Sequence, residues 1–541
     1  MDASPRSGHL ITRVGQSLCP CRPQPDPVIM FKSPNDKIDF WLERVDWLAS
    51  SGMKPSIEPA APPQLFINGD WHESATGKYF SAVCPADSEV IASVPDADER
   101  DVDAAVRAAS AAFDGEWSTA SIESRYSALM EFAVRIERDK ERLVAIEVVD
   151  TGSTTRRMDR DVDSAVRLIR MYAGLARLLR GHTIPVAPGN LAYTLAQPYG
   201  VIGHIIPFNH PLMFAAQAIA ASVASGNTVV LKPSEYTPLT TLELAELSRD
   251  LFPPGVINVL TGFGPSCGAP LVRHGGVKKV FFRGSVPVGR EVSARCASRG
   301  IPFELELGGK NPFIVFPDAD IDAAVVGATT GLNLGHQGQS CGAATRLFVH
   351  EDVYDEFREG LIEQFSRVKV GLPWLPETEM GALVAPQQFD RVMRYLDIGK
   401  AEGASVIYGG ERPSDPALAD GLFVLPTIFE VDDPMSRVAT EEIFGPVTCL
   451  LHWSDQAEML SYVNGLEYGL TSSLWTKDLD KAHDMAARIQ AGVVWVNQHG
   501  PRPSGVPFGG SKGSGTGKEL ALEELEAYTQ EKTVMVAYGH G

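Results

Sequence analysis

The chain has 541 residues, which at roughly 150 residues per domain suggests three or four domain-sized units. Its composition, 44% hydrophobic and 21% charged, argues against wholesale disorder. A formal charge of −20 gives it no general electrostatic attraction to nucleic acid or anionic lipid. The longest nearly apolar stretch, Leu212 to Ala224, is shorter than the roughly 20 residues that a membrane span needs. The seven cysteines contain no CxxC pair, so we expect neither a metal site nor a disulfide framework, and a reducing compartment is favoured.

Residues 1–63 differ from the rest of the chain because prolines interrupt them repeatedly. Only Phe40 to Ser50 has the apolar spacing of a short amphipathic helix. One hypothesis is a flexible extension or a later translation start at Met30 or Met53, which leaves a cytoplasmic protein. The alternative is a mitochondrial targeting peptide, favoured by an excess of arginine in the first two dozen residues, namely Arg6, Arg13 and Arg22.

From Gln64 onwards, short strands rich in valine and isoleucine alternate with amphipathic helices. This alternation predicts an α/β fold on a mostly parallel sheet with helices on both faces. Ligands of such sheets bind beyond the carboxyl ends of the strands, so we expect the functional residues to lie just after the strands. The predicted strands are Val201–Ile206, Thr228–Leu231, Val256–Leu260, Val280–Phe282, Phe303–Leu307, Asn311–Phe316, Arg346–Val349 and Val493–Asn497, and the clearest helices are Pro238–Leu251 and Val286–Arg299.

Polar side chains follow the first two of these strands. Asn209 could present its amide to a cleft, or it could cap the next helix. Lys232 and Glu235 could hold the hydroxyls of a ribose, where a carboxylate would repel a 2′-phosphate and favour NAD over NADP. Their alternative interpretation is a surface salt bridge with an acidic residue at a helix start. Two glycine-containing turns, at 262–264 and 284–289, could approach a phosphate with help from Ser285, or could be plain turns.

A carboxylate and a cysteine follow later strands. Glu306, beside two glycines, could act as a base. Cys341, flanked by small residues, could act as a nucleophile, although an isolated cysteine is more often a small buried hydrophobic residue.

Seven segments together resemble the aldehyde dehydrogenase superfamily, in its hydrolytic, non-phosphorylating form, over about Gln64 to Val536. The resemblance implies an NAD-binding domain (64–185 and 203–306), a catalytic domain (307–496), a bridging element (186–202 and 522–541, with its final strand near Thr533–Ala537) and a late loop (497–521) that returns to the active site. It also implies a homodimer or homotetramer. The segments, in family order, are PFN at 207–209, KPSE at 232–235, GS at 284–285, ELGGK at 306–310, GQSC at 338–341, EEIFGPV at 441–447 and PFGGSK at 507–512.

The resemblance also implies catalytic roles. The Cys341 thiolate would attack the aldehyde, the Asn209 amide and the Cys341 backbone N–H would hold the oxyanion, and Glu306 would activate the water that hydrolyses the thioester. Glu306 favours a free carboxylic acid as product, because relatives that transfer the acyl group to coenzyme A often lack this carboxylate.

The implied cofactor is NAD. Lys232 and Glu235 would hold the adenosine ribose, Ser285 the pyrophosphate, and Glu442 the nicotinamide ribose with Phe444 against it. The remaining implied contacts to the cofactor are Ile205, Pro207, Phe208, Ser234, Gly264, Gly284, Leu307 and Gly308.

The implied substrate is a small-molecule aldehyde that enters through a tunnel, where the small residues beside Cys341 leave room for a bulky aldehyde. Arg502 in this tunnel could pair with a carboxylate of the substrate, or it could be a solvated loop arginine. The implied lining residues are Met213, Phe214, Gln217, Ser340, Gly342, Arg502 and Phe508.

Three positions depart from the family pattern. Arg283 stands where a small residue, commonly threonine, is usual; His336 replaces an asparagine, with no catalytic role expected; and Glu524 replaces a glycine. Arg283 is the main support for one alternative, a non-catalytic homologue. The other alternative is a thiol esterase or acyl-transfer enzyme, against which Glu235 and Glu442 argue because both belong to cofactor binding.

Overall fold

The computed structural model describes residues 52–57 and 59–538. The predicted helix at Phe40 to Ser50, the start at Met30 and the hypothetical targeting segment lie outside these residues, as do residues 539–541 of the expected bridging element.

The strands are β1 (Leu65–Ile67), β2 (Asp70–His72), β3 (Tyr79–Val83), β4 (Val90–Pro95), β5 (Thr183–Ile184), β6 (Asn190–Pro198), β7 (Val201–Ile205), β8 (Thr228–Lys232), β9 (Ile257–Val259), β10 (Val277–Gly284), β11 (Phe303–Leu307), β12 (Asn311–Val315), β13 (Ala344–His350), β14 (Ser405–Tyr408), β15 (Thr427–Glu430), β16 (Val447–Trp453), β17 (Thr471–Trp475), β18 (Val493–Val496), β19 (Gly515–Thr516) and β20 (Thr529–Ala537). Every strand predicted from the sequence is present, with ends that move by a few residues. The longest shift is in β10, which includes Arg283 and Gly284.

The helices are α1 (Glu99–Asp114), α2 (Ile122–Arg138), α3 (Lys140–Thr151), α4 (Thr155–Leu175), α5 (Pro211–Ala224), α6 (Leu239–Ser248), α7 (Ala269–Arg273), α8 (Val286–Arg299), α9 (Ile321–Gly331), α10 (Tyr354–Arg367), α11 (Pro386–Ala401), α12 (Arg437–Thr440), α13 (Gln456–Asn464), α14 (Leu479–Arg488) and α15 (Leu522–Ala527). The apolar stretch noted in the sequence forms α5, which is buried along almost its whole length. Within the described residues, no helix is both long and apolar enough to cross a membrane.

Two large sheets carry the fold. The first has eight strands in the order β19-β11-β10-β7-β8-β9-β1-β2, and its five central strands are parallel. The second has seven strands in the order β14-β15-β16-β13-β12-β17-β18, all parallel except β14. Strands such as β8 and β12 are buried at every position, which explains why they appear in the sequence as continuous apolar runs. The α/β fold class is confirmed.

A third sheet is small and has the order β20-β6-β5. β20 pairs antiparallel with β6 from Thr529 opposite Pro198 to Ala537 opposite Asn190. The strand at the carboxyl end therefore begins four residues before the predicted Thr533. Val201 and Ile202, expected at the end of the bridging element, instead lie in β7 of the first sheet. Apolar side chains are exposed on this small sheet, namely Leu191, Leu195, Met535 and Val536.

The five cysteines within the described residues are all buried and free.

Candidate active site

A cavity of about 410 Å³ lies at the carboxyl ends of β7, β10 and β11. It brings together residues that stand far apart in the sequence, as the parallel arrangement of these strands requires. Its lining includes Pro207, Phe208, Asn209, Gly284, Ser285, Glu306, Leu307, Gly308, Cys341, Glu442 and Phe444, all of which the sequence analysis singled out. Four further lining residues, Gln388, Arg391, Tyr395 and Tyr468, were not predicted.

Cys341 lies in a tight loop that its neighbours hold in place. Asn311 donates hydrogen bonds from Nδ2 to the carbonyl oxygens of Cys341 (2.7 Å) and Ala343 (2.9 Å). Gly338 has a φ of +68°, and a Cβ there would collide with the Gly445 carbonyl, so this turn requires glycine. The nucleophile loop is thus fixed by β12 on one side and by the segment before β16 on the other.

Glu306, in β11, faces the cysteine. Both residues line the cavity, and the buried Oε1 of Glu306 has no hydrogen-bond partner among the described residues. Burial raises the pKa of Glu306 to about 7, and the charge of Glu519 adds to this shift. Burial also raises the pKa of Cys341 well above its usual range, the Glu306 carboxyl raises it further, and Arg502 opposes both effects. The thiol is therefore protonated at neutral pH and stands next to a base that titrates near pH 7.

Asn209 follows β7 and is buried. Its Nδ2 donates one hydrogen bond to the Gln339 carbonyl, 3.0 Å away, in the loop that leads to Cys341. An amide nitrogen carries two N–H groups, so one donor remains beside the nucleophile. The side chain does not cap α5, whose N-cap residue is His210.

The start of α8 provides donors on the same cavity. Ser285 is the N-cap residue, and its side chain makes no capping hydrogen bond. The first N–H groups of this 14-residue helix have no partner within the helix, which is the arrangement that binds phosphate groups.

Glu442 closes the other side of the cavity. Its carboxyl accepts a hydrogen bond from the Gly309 backbone N–H at 3.1 Å, and burial raises its pKa to about 7. The backbone around it is held by α11, because Gln388 donates to the Phe444 carbonyl at 2.7 Å and Arg391 donates to the carbonyl of Glu442. The ring of Phe444 lies edge-on to Phe208, with centroids 5.7 Å apart. Gln388 and Arg391 share one helix face, but nothing in their local sequence marks them as part of a site.

The remaining predicted cofactor residues lie outside this cavity. Lys232 is buried at the end of β8, where its Nζ donates to the Pro233 carbonyl and lies 3.4 Å from Glu235. The salt bridge considered as an alternative is therefore present, while Glu235 stays partly exposed. Ile205 ends β7, Ser234 accepts a hydrogen bond from the Tyr236 N–H, and Gly264 begins an exposed helical turn.

Comparison with known proteins agrees with this arrangement. The sequence model of the Aldehyde dehydrogenase family matches residues 71–534. An aldehyde dehydrogenase of Emericella nidulans is 41% identical over 487 residues, which are 90% of this chain and 97% of the relative. The chain belongs to the aldehyde dehydrogenase family.

Two further relatives bear on cofactor and fold. The human protein named "Aldehyde dehydrogenase, mitochondrial" is 42% identical over 479 residues, 87% of this chain and 92% of that protein. A Bacillus cereus aldehyde dehydrogenase, solved as an NAD+ complex, superposes with a TM-score of 0.85 at 38% identity, covering 91% of this chain and 98% of that one. The protein is an NAD-dependent aldehyde dehydrogenase whose substrate is a small-molecule aldehyde, and the non-catalytic alternative is not supported.

Two of the departures from the family pattern meet inside this aldehyde dehydrogenase. Arg283 is buried, and its Nε donates to Glu519 at 2.8 Å while its Nη2 lies 3.9 Å from Glu524. Burial acts to lower the pKa of Arg283, but the two carboxylates outweigh it and hold that pKa above its usual value. The charge of Arg283 is thus compensated within the fold, rather than projected into the cofactor cavity.

Glu524 also engages residues of the expected substrate tunnel. Gln217 is fully buried, and its Nε2 donates to both carboxylate oxygens of Glu524, at 2.9 and 3.0 Å. Tyr172 donates to the same carboxylate, and the Arg283 guanidinium lies 4.8 Å from the ring centroid of Phe214. Gln217 and Phe214 therefore contact this buried network, whereas Met213 is partly buried beside them.

The third departure, His336, belongs to another buried polar cluster. Its Nε2 lies 3.4 Å from the Asp161 carboxylate, and its ring centroid is 4.1 Å from that of His210. His210 Nδ1 lies 2.6 Å from Asp161. Burial lowers the pKa of both histidines, so both are neutral at pH 7. Because His210 adjoins Asn209 and His336 begins the turn before Cys341, this cluster ties together the two segments of the site.

The same three side chains, Asp161, His210 and His336, have the spacing of a metal site. Arg157, however, donates from Nε to His336 and lies 3.0 Å from Asp161. A guanidinium already supplies the positive charge that a cation would bring. We therefore interpret the cluster as a hydrogen-bond network.

Proposed function

We propose that the enzyme oxidises its aldehyde by covalent catalysis at Cys341. Glu306 accepts the thiol proton as sulfur adds to the carbonyl carbon, which forms a thiohemiacetal. The free N–H of Asn209 and the backbone N–H of Cys341 donate to the oxygen on which negative charge develops. The observation that carries this proposal is the carboxyl–thiol pair of Glu306 and Cys341, which sits in one cavity with Asn209 and Glu442.

The second half of the reaction uses the same residues. With NAD bound, its nicotinamide would accept the hydride that leaves the carbonyl carbon, and a thioester would remain on Cys341. Glu306, after releasing the first proton to solvent, then removes a proton from the water that attacks the thioester. That proton passes to the departing sulfur of Cys341, so a carboxylic acid is released and the thiol is regenerated. A base with a pKa of about 7 suits both steps, because it is deprotonated in an adequate fraction at physiological pH.

The chain's own residues fit NAD. Uncapped N–H groups at the start of α8 suit the pyrophosphate, and the buried Glu442 carboxylate suits the hydroxyls of the ribose next to the nicotinamide. We assign 64–185 and 203–306 to the cofactor domain, and 307–496 to the catalytic domain.

We also propose that NAD is preferred over NADP. A 2′-phosphate beside the partly exposed Glu235 would meet a like charge, with only Lys232 to offset it. Glu235→Gln should raise kcat/KM with NADP relative to NAD, whereas a wild-type enzyme that already prefers NADP would refute the assignment.

The test of the catalytic proposal is Cys341→Ala. This variant should lose NADH formation with every aldehyde while it still binds NAD, measured by fluorescence titration. Cys296→Ala is the matched control, because Cys296 is equally buried but lies in α8 away from the cavity, and it should keep normal turnover. Turnover by the Cys341 variant would overturn the nucleophile assignment.

We propose a homodimer or homotetramer that associates through the small sheet, because Leu191, Leu195 and Met535 expose apolar side chains there. Met535→Asp should lower the mass measured by light scattering.

A cytoplasmic location stays our prediction, with mitochondrial import as the alternative; fluorescent fusions with and without residues 1–63 distinguish the two.

A further inference from the structure

Arg502 stands beside Gly342, the residue that follows Cys341. It follows β18 in the late loop, and its guanidinium stacks on Phe508 with 4.0 Å between the guanidinium carbon and the ring centroid. A Cβ added to Gly342 would lie 2.6 Å from its Nη2. The positive charge is thus adjacent to the reacting sulfur.

The loop that carries Arg502 is firmly held. Trp495 donates from its indole nitrogen to the Pro501 carbonyl at 3.0 Å. His499 bridges the Gly342 carbonyl, 2.9 Å from its Nε2, and the Ser473 hydroxyl, 2.6 Å from its Nδ1. The arginine is therefore positioned in advance, which reduces the entropy lost when a ligand binds it.

No carboxylate of the described residues lies within ion-pair distance of Arg502. A guanidinium has five N–H donors in a planar fork, and the thiol uses only a small part of them. A planar carboxylate is the natural complement of such a fork.

We propose that Arg502 binds the carboxylate of the substrate, so that the enzyme acts on short aldehydes that also carry a carboxylate. The closeness of Arg502 to Cys341 limits the distance between the two ends of the substrate. This inference rests on the proposed aldehyde oxidation at Cys341, and the product is a dicarboxylic acid.

The competing role for Arg502 is to stabilise the Cys341 thiolate. The two roles make different demands on the substrate, because thiolate stabilisation helps every aldehyde alike, whereas carboxylate binding helps only those with an anionic end.

The experiment compares 4-oxobutanoate with its methyl ester, an aldehyde of similar shape without the charge. Wild-type kcat/KM should favour 4-oxobutanoate. Arg502→Gln should lower kcat/KM for 4-oxobutanoate by about 10- to 100-fold, mainly through KM, as expected for a lost charged hydrogen bond. The loss for the methyl ester, which reports only the effect of Arg502 on the sulfur, should be clearly smaller than the loss for 4-oxobutanoate. Arg502→Lys should retain an intermediate preference, and Arg107→Gln, at an arginine whose side chain is 72% exposed, should change neither rate.

Equal losses on both substrates would overturn the proposal, as would a wild-type preference for the ester. If the wild-type enzyme oxidised neither aldehyde, nor benzaldehyde or hexanal, the proposed function itself would fail, which is a different result from an altered preference.

Discussion

Arg283 and Arg502 lie near the same reaction centre but in opposite surroundings. Arg283 is buried, ion-paired with Glu519 and close to Glu524. Arg502 is partly exposed, stacked on an aromatic ring and without a carboxylate partner in the described residues. A buried arginine that is paired with carboxylates is part of the folded core, whereas a positioned arginine that lacks a counter-charge is available to bind an anionic ligand.

The two regions are physically connected. The backbone N–H and carbonyl of Phe508, on which Arg502 stacks, pair with those of Glu519, which holds Arg283. The charges of Arg283 and Arg502 lower the pKa of Glu306, and the charge of Glu519 raises it, so both regions act on this carboxyl.

The largest effect is expected at Glu306, the group that both regions share. Glu306→Gln cannot accept a proton, so we expect kcat to fall by about 10²- to 10⁴-fold. Glu304→Gln is the control on the same strand, because Glu304 pairs with Lys279 away from the cysteine. Stopped-flow NADH measurements should show a burst in the Glu306 variant if thioester hydrolysis becomes limiting. A normal steady-state rate would exclude Glu306 as the base.

The next largest effect is expected on the free energy of unfolding, which should depend on Arg283 but not on Arg502. Arg283→Thr leaves buried carboxylates without their cation and should lower the free energy of unfolding by about 3–5 kcal/mol. Arg283→Thr/Glu524→Gln removes one of these charges and should recover part of the loss. Urea denaturation measures both, with Arg502→Gln expected to remain close to wild type. A stable Arg283→Thr would show that the ion pairs contribute little.

The pH dependence of the rate tests whether Glu306 acts as the base in thioester hydrolysis. Because its pKa is raised to about 7, the carboxyl is protonated and inactive as a base below that pH. The rate of thioester hydrolysis should therefore rise as pH increases through about 7 and level off above it. Single-turnover measurements at saturating NAD between pH 5.5 and 9 would test this. A rate that is already level from pH 5.5 upwards, as an ordinary carboxyl pKa of about 4.3 would give, would contradict it.

The smallest effect is expected at the third departure. His336→Asn, which restores the residue usual in the family, shortens a side chain that contacts Asp161 and Arg157. We expect a loss of about 1–3 kcal/mol in unfolding free energy, because a buried charge loses a partner, with a modest fall in kcat. His483→Asn, on the exposed face of α14, is the control. Full stability of the His336 variant would show that Arg157 alone satisfies Asp161.

Much of the fold was predictable because its signals are local. Buried parallel strands leave continuous apolar runs, and Phe303–Leu307 was predicted to the residue. The small sheet was placed less accurately, since β6 and β7 are separated by only two residues and no local signal divides the two sheets between them.

The sequence alone singled out Cys341, Glu306 and Asn209 as proposed site residues, because each sits in a short segment at or just after a strand end. The structure brings all three to one cavity. The sequence could not show which residues pair with Arg283 and His336, two of the residues that depart from the family pattern. Arg283 meets Glu519 across 236 positions, and His336 meets Arg157 across 179. Only the tertiary structure decides such pairs, because the energy of a buried charge depends on which groups surround it in space. For the same reason, only the folded chain shows that Arg283 is paired and that Arg502 faces the nucleophile without a carboxylate of its own.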